Sequence, residues 1–247
     1  MKVLVVSDIH GNYEALNAVL ESAGGWDSLW VLGDLVDYGP EPHVVVDVVR
    51  GLDPDLVLMG NHDYAMAYGA DCMCAEEVRD LSVYTRQFVS ARLLSKEQLE
   101  WLRNLPRSWS GVVGGLKVFA AHGSPRNNLF GYLRPSLPRS ELLLALTPSM
   151  YSLRPRPVDS DVVLVGHTHA QFDIRVDSIR VVNPGSVGQP RDGDPRAAYA
   201  IVETGNWGVE LRRVEYDVMK TVRKLRELNL DREHLSRLER ILVTGRL

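Results

Sequence analysis

The sequence predicts an α/β (α+β) fold built on two sheets, and three observations lead there. Its first sixty residues alternate short apolar runs with amphipathic stretches, a β-α-β-α-β order that calls for parallel strands and right-handed crossovers. Five further short strands, Asp161–Val165, Phe172–Val176, Ile179–Val182, Ala198–Glu203 and Gly208–Val214, suggest a second, largely antiparallel sheet. Between the two lies a helical excursion at about 64–106. A chain of 247 residues can bury a substantial core, and we expect a single domain over 1–247. In it, 64–106 is a cap-like insertion and 217–242 supplies C-terminal helices.

Taken in order, residues 2–6 are the first strand, and Gly11-Asn12 opens a helix with Tyr13, Leu16, Val19 and Leu20 on one face. Asn12 suits its N-cap. Leu29–Leu32 is the second strand, Pro40-Glu41-Pro42 introduces a helix containing Val44–Val49, and Asp55–Met59 is the third strand. Glu76–Leu94 and Ser95–Leu105 read as helices, the second beginning with the capping-box pattern Ser95-Lys96-Glu97-Gln98. Trp109–Val113 and Leu116–Ala121 form a hairpin around Gly114-Gly115. Residues 124–140, rich in Pro, Arg and Asn, form a loop over the site, followed by a short helix at Ser140–Leu146. Asp217–Leu228 and Asp231–Leu242 are amphipathic helices.

Composition narrows the function. The net charge of −4 argues against an extended nucleic-acid partner, which needs a basic stripe. It leaves room for a small phosphate ester, because bound cations set the local field of a metal site. No apolar run approaches the roughly 20 residues of a membrane span. Met1–Asp8 runs straight from a strand into a polar motif rather than through a signal-peptide core, so the expected setting is cytoplasmic, with no membrane partner. Cys72 and Cys74, one residue apart, match no common zinc spacing and are expected to be small reduced residues of the helical excursion.

Five stretches repeat one move, an apolar strand ending in a loop of His, Asp or Asn. They are Val5-Val6-Ser7-Asp8-Ile9-His10, Val31-Leu32-Gly33-Asp34-Leu35-Val36-Asp37, Val57-Leu58-Met59-Gly60-Asn61-His62-Asp63, Phe119-Ala120-Ala121-His122-Gly123 and Leu164-Val165-Gly166-His167-Thr168-His169. Five of the seven histidines lie in these motifs; only His43 and His234 stand elsewhere, on predicted helices. Two divalent ions can clamp a phosphorus centre and hold a hydroxide for in-line attack, provided a carboxylate bridges them and neutral imidazoles complete their shells. The five strand tips describe such a two-metal site, with Asp34 as the bridge. Imidazole, carboxylate and amide oxygen together suit Mn, Fe, Co, Ni or Zn.

In their order these motifs resemble the calcineurin-like metallophosphoesterases. The run Asn183-Pro184-Gly185-Ser186-Val187-Gly188-Gln189-Pro190-Arg191 resembles the small bacterial and archaeal phosphodiesterase branch. The resemblance implies a four-layer α/β/β/α sandwich with two mixed sheets. It implies Asp8, His10, Asp34 and His169 around one metal, and Asp34, Asn61, His122 and His167 around the other, with Mn favoured. His62 would serve the leaving oxygen as a proton donor, oriented by Asp37. Asp63 is expected to brace the loop, and Arg126, Arg191 and Asn12 are candidate substrate contacts. Serine/threonine phosphatases of this superfamily place an arginine directly after the second Asp of the Gly-Asp motif, where this chain has Tyr38. That departure favours cleavage of a small phosphodiester. A phosphomonoesterase or dinucleoside-polyphosphate hydrolase is the alternative, and a non-catalytic scaffold of the same fold the third reading.

Overall fold

The computed structural model describes residues 1–247. In chain order its elements are β1 (Lys2–Val6), α1 (Tyr13–Ser22), β2 (Ser28–Val31), α2 (Pro42–Gly51), β3 (Leu56–Val57), α3 (Asn61–Tyr68) and α4 (Glu76–Thr85). A π-helical turn (Arg86–Ser90), α5 (Ala91–Leu93), α6 (Lys96–Arg103), β4 (Ser108–Val113), β5 (Leu116–Ala121) and α7 (Arg139–Ala145) follow. The chain closes with β6 (Val162–Leu164), β7 (Gln171–Val176), β8 (Ile179–Pro184), β9 (Ala197–Glu203), β10 (Gly208–Val214), α8 (Val218–Glu227) and α9 (Arg232–Thr244).

The strands make two mixed five-stranded sheets, in the orders β10-β9-β1-β2-β3 and β4-β5-β6-β8-β7. In the first, β1, β2 and β3 are parallel, β9 pairs antiparallel with β1, and β10 pairs antiparallel with β9. In the second, β5, β6 and β8 are parallel, with β4 and β7 antiparallel at the edges. The five late strands therefore do not form a sheet of their own. β9 and β10 extend the first sheet, and the hairpin β4–β5 joins β6, β7 and β8 in the second.

Alternation along β1 sets the layers. Val3 and Val5 face the second sheet and meet Val118, Ala120, Val162 and Leu164. Leu4 and Val6 face the other way, onto Leu16 and Val19 of α1 and Val45, Val46 and Val49 of α2. The outer face of the second sheet, through Phe119, Ala121, Val163 and Val181, lies under Leu142 and Ala145 of α7. Strands covered on both faces need apolar residues at every position, which explains their near-continuous apolar runs. The result is helix, sheet, sheet, helix, the expected sandwich.

Side-chain caps open four of the helices. Asn12 accepts from the Ala15 amide, Ser95 from Gln98, Asp217 from Lys220, and Asp231 from Glu233 and His234. One start differs from expectation: α3 begins at Asn61, so Asn61, His62 and Asp63 form the first turn of a helix rather than a loop. Gly60 precedes it. A Cβ there would stand 2.0 Å from Asp34 Oδ1, so only glycine lets the helix start approach that carboxylate. No helix of the chain is long and apolar enough to cross a membrane.

Candidate metal centre

The ends of β1, β2, β3, β5 and β6 all lie at one edge of the two sheets, where the loops of parallel strands gather polar groups. Asp8, His10, Asp34, Asn61, His122, His167 and His169 converge there, each less than about one-twentieth exposed. Two sets of donor atoms share Asp34, namely Asp8, His10, Asp34 and His169, and Asp34, His122 and His167, while His62, Cys72 and Cys74 form a third set without it. Within each set the atoms lie within 4.8 Å of one another, and Asp34 belongs to the first two. Its Oδ2 stands 3.7 Å from His10 Nε2 and 3.2 Å from His122 Nε2.

The backbone is strained to make this convergence. Asp8, His10, Asp34, Asp37, Tyr38, His167 and His169 all have φ between 48° and 67°, a region non-glycine residues rarely occupy outside functional sites. His167 and His169 are therefore not alternate residues of an extended strand, as simple alternation would have it. They are separate left-handed turns after β6, held by Asn183, whose Nδ2 donates to the Gly166 carbonyl (2.7 Å) and to Thr168 Oγ1 (3.0 Å).

Hydrogen bonds pre-set the orientation of each donor. The Nδ1 atoms of His10, His122 and His169 lie 2.9, 2.9 and 2.6 Å from the carbonyls of Val36, Leu32 and Gln189. A carbonyl only accepts, so each Nδ1 carries a hydrogen, and each ring in its neutral form turns its Nε2 lone pair into the cavity. The carboxylates are treated alike. One oxygen is pinned by a backbone amide, Asp8 Oδ2 by His167 (3.1 Å) and Asp34 Oδ1 by His62 (2.8 Å). The other, Asp8 Oδ1 or Asp34 Oδ2, is buried with no hydrogen-bond partner, as is His167 Nε2. Asn61 Nδ2 donates to the Cys72 carbonyl (2.8 Å), which turns its Oδ1 toward His122 Nε2 at 2.9 Å.

This donor set fits divalent ions. His10 Nε2 and His169 Nε2 are 3.2 Å apart although both rings already have their hydrogen on Nδ1, so two lone pairs face each other. Only a cation or an added proton relieves that arrangement, and burial opposes the proton. It pushes the His10 imidazole down to about 3 and those of His167 and His169 well below their ordinary value. At His122 burial acts the same way, but the Asp34 carboxylate more than reverses it, raising this imidazole to about 9. Burial would raise Asp34 too; the charge of His122 outweighs it and holds the carboxyl well below its usual range. Burial lifts the Asp8 carboxyl to about 6.

His62 is set apart from these donors. Its Nδ1 is 2.9 Å from Asp37 Oδ2, the expected pair, and its ring meets those of His10 and Tyr38 edge-on or tilted at 5.0 Å. Sequence reasoning missed the other partners of Asp37. Arg86 donates to Asp37 Oδ2 from Nε (3.0 Å) and Nη2 (2.7 Å), and Ser90 Oγ to Oδ1 (3.0 Å). Burial raises the Asp37 carboxyl, but its bond to His62 and the Arg86 guanidinium bring it below the ordinary value. The stretch 64–106, without a ligand motif of its own, therefore supplies the arginine that holds the Asp37–His62 pair.

Asp63 braces the loop as expected. Its carboxylate accepts the amides of Asp34 (2.8 Å), Leu35 (2.8 Å) and Gly60 (2.9 Å). Asp63→Ala leaves three buried donors unsatisfied, and at about 1–3 kcal/mol each it should lower the unfolding free energy in urea by about 3 kcal/mol or more.

The three candidate substrate contacts separate. Arg191 lies with its guanidinium carbon 5.3 Å from the centre of the Tyr38 ring, and Gln189 Oε1 accepts from its Nε at 3.0 Å. Arg126 instead donates to the carbonyls of Met150 (2.8 Å) and Ser152 (3.1 Å) and holds that loop. Asn12 is spent on structure. Its Oδ1 caps α1 and accepts from Thr221 Oγ1 (3.0 Å), while its Nδ2 donates to Gly188 O (3.0 Å) and Tyr216 Oη (3.1 Å). Ser186 likewise braces, donating to the Asp8 carbonyl at 2.7 Å.

The chain is similar to known proteins. The structure is similar to the crystal structure of a metallophosphoesterase from Sphaerobacter thermophilus, with 32% identity, 99% of both chains covered and a TM-score of 0.81. It is also similar to an uncharacterised protein of Methanocaldococcus jannaschii, 31% identical over 243 residues, or 90% of this chain and 91% of the other. A symmetrical bis(5'-nucleosyl)-tetraphosphatase of Dechloromonas aromatica is 31% identical over 110 residues, 43% of this chain and 39% of that protein. Residues 1–206 match the calcineurin-like phosphoesterase superfamily domain. With the motifs, the two-sheet fold and this match in agreement, the chain belongs to the calcineurin-like phosphoesterase superfamily and is a hydrolase of phosphoric esters.

Proposed function

We propose that the chain is a two-metal phosphodiesterase acting on a small phosphodiester. The observation that carries this reading is the set of unsatisfied donors converging on Asp34: facing imidazole lone pairs at 3.2 Å and two buried carboxylate oxygens without partners. Asp8, His10, Asp34 and His169 would hold one ion, and Asp34, Asn61, His122 and His167 the other, with manganese the first ion to try. When bound, such ions supply Lewis acidity to the phosphoryl oxygens and acidify water.

The chain's own residues do the rest. Asp34 would serve both sets of donors, because its Oδ1 is tied to the His62 amide while Oδ2 has no hydrogen-bond partner. His62 has Nδ1 occupied by Asp37, so Nε2 is the nitrogen left to give a proton to the leaving oxygen. Arg86 fixes Asp37, and through it the tilt of the His62 ring. Arg191 binds the phosphate from the Tyr38 side.

Replacing that guanidinium isolates its part. Arg191→Ala should raise KM for a diester about tenfold, the loss of one charge-assisted hydrogen bond, with bound metal unchanged. The whole reading is tested by adding Mn²⁺ to metal-free protein and comparing bis(p-nitrophenyl) phosphate, p-nitrophenyl phosphate and diadenosine tetraphosphate. Fastest turnover of the first supports the diesterase. Fastest turnover of the tetraphosphate would move the assignment to the second reading, suggested by the partial similarity to a tetraphosphatase. Inactivity toward all three with Mn, Fe, Co, Ni and Zn would refute both.

A further inference from the structure

We propose that Cys72 and Cys74 form a reversible disulfide that controls how firmly the second ion is held, a redox modification site built against the metal centre. This rests on the two-metal reading above. The structure joins the two cysteines, contrary to the expectation of separate reduced thiols. They lie between α3 and α4, with Cys72 wholly buried and Cys74 partly exposed. Met73 between them is 62% exposed and sits at φ 49°, a left-handed conformation that non-glycine residues rarely adopt.

Two contacts connect this pair to the centre. The Cys72 carbonyl accepts from Asn61 Nδ2, the bond that aims Asn61 Oδ1 into the second set of donors. Cys72 Sγ accepts from Ser82 Oγ at 3.4 Å. That hydroxyl also lies 3.1 Å from His62 Nδ1 and accepts from Arg86 Nη2 at 2.8 Å. One cysteine thus touches both a candidate ligand and the group that orients the candidate proton donor.

The chemistry is thiol–disulfide exchange with a small-molecule disulfide such as oxidised glutathione. The Cys74 thiolate, the accessible one, attacks the oxidant's sulfur, breaking its S–S bond and releasing one thiol. Cys72 then attacks Cys74 Sγ in the mixed disulfide, the Cys72–Cys74 bond forms, and the second thiol leaves. Two electrons and two protons pass from the cysteines to the two released thiols, and a thiol reductant reverses the sequence. In the dithiol the sulfurs must separate to non-bonded contact. Cys72 has no room to move, so Cys74 and Met73 swing outward, Met73 leaves its left-handed conformation, and the Cys72 carbonyl is drawn off Asn61.

Loss of a bond that orients a metal ligand commonly weakens metal binding about 10–100-fold. Three readings on the full-length chain test the switch without substrate. Alkylation in denaturant followed by intact mass should find both thiols blocked after oxidised glutathione, and both reactive after a phosphine reductant. Calorimetric titration with Mn²⁺ should find two ions bound in either state, the weaker one about tenfold weaker in the reduced protein. Cys74→Ser, a change at a partly exposed position, should match the reduced protein and ignore the redox treatment. Equal Mn²⁺ affinity in both states would overturn the switch alone. Failure of the disulfide to form, or a zinc ion retained by the two thiols of the reduced chain, would also overturn it. A chain that binds no metal in either state would instead sink the two-metal reading beneath it.

Discussion

Asp34→Asn should abolish phosphoesterase activity and remove the second ion entirely, leaving the first bound at least 100-fold more weakly, on the order expected when a shared charged ligand becomes neutral. The substitution keeps the shape of the side chain and an oxygen to accept the His62 amide, a bond of 2.8 Å. What it removes is the negative charge on the one oxygen that serves both sets of donors, 3.7 Å from His10 Nε2 and 3.2 Å from His122 Nε2. The same change frees His122. Its imidazole is held up to about 9 by the Asp34 carboxylate against the effect of burial, so without that charge it loses its proton more readily. Metal content by mass spectrometry and turnover of bis(p-nitrophenyl) phosphate measure the two effects. Circular dichroism, unchanged, would show that the fold survives.

His62→Ala should cut kcat by about 10²–10⁴, the usual contribution of a general acid, while two ions remain bound and KM changes little. The reasoning is spatial. His62 lies among the site residues, 5.0 Å ring to ring from His10, yet its Nδ1 is committed to Asp37 and it belongs to neither set of donors around Asp34. A substrate whose leaving group needs no proton, such as one releasing a nitrophenolate, should be affected less than an alkyl diester. Loss of metal from His62→Ala would reassign the residue as a ligand. Equal loss on both substrates would leave it to stabilise phosphoryl charge instead of donating a proton.

The convergence of the seven donor residues could be read along the chain because each follows a parallel strand, and parallel strands deliver their C-terminal ends to one edge. Asp34 stood out as the shared group for the same reason. What the sequence hid was long-range or conformational. Nothing in Leu56–Val57 followed by Gly60-Asn61-His62 marks where a strand's loop becomes the first turn of a helix, since the N-cap is a glycine and the Asp63 carboxylate, not a familiar Ser or Thr, accepts its amide. Arg86 reads as one more charged residue of a helix. It turns inward because a π-helical turn begins there and because its partner, Asp37, lies 49 positions away. Arg126 and Arg191 look alike as loop arginines, and only the fold sends one to the carbonyls of Met150 and Ser152 and the other onto the Tyr38 ring. The continuous apolar run of β9 marks a buried strand, but nothing in it says that its edge belongs beside β1.

Crystals of the protein soaked in Mn²⁺, with data collected at the manganese absorption edge, test the central claim most directly. Two anomalous peaks about 3.5–4 Å apart, one on each side of Asp34 Oδ2, are the predicted result. A single peak, or peaks away from Asp34, would contradict it.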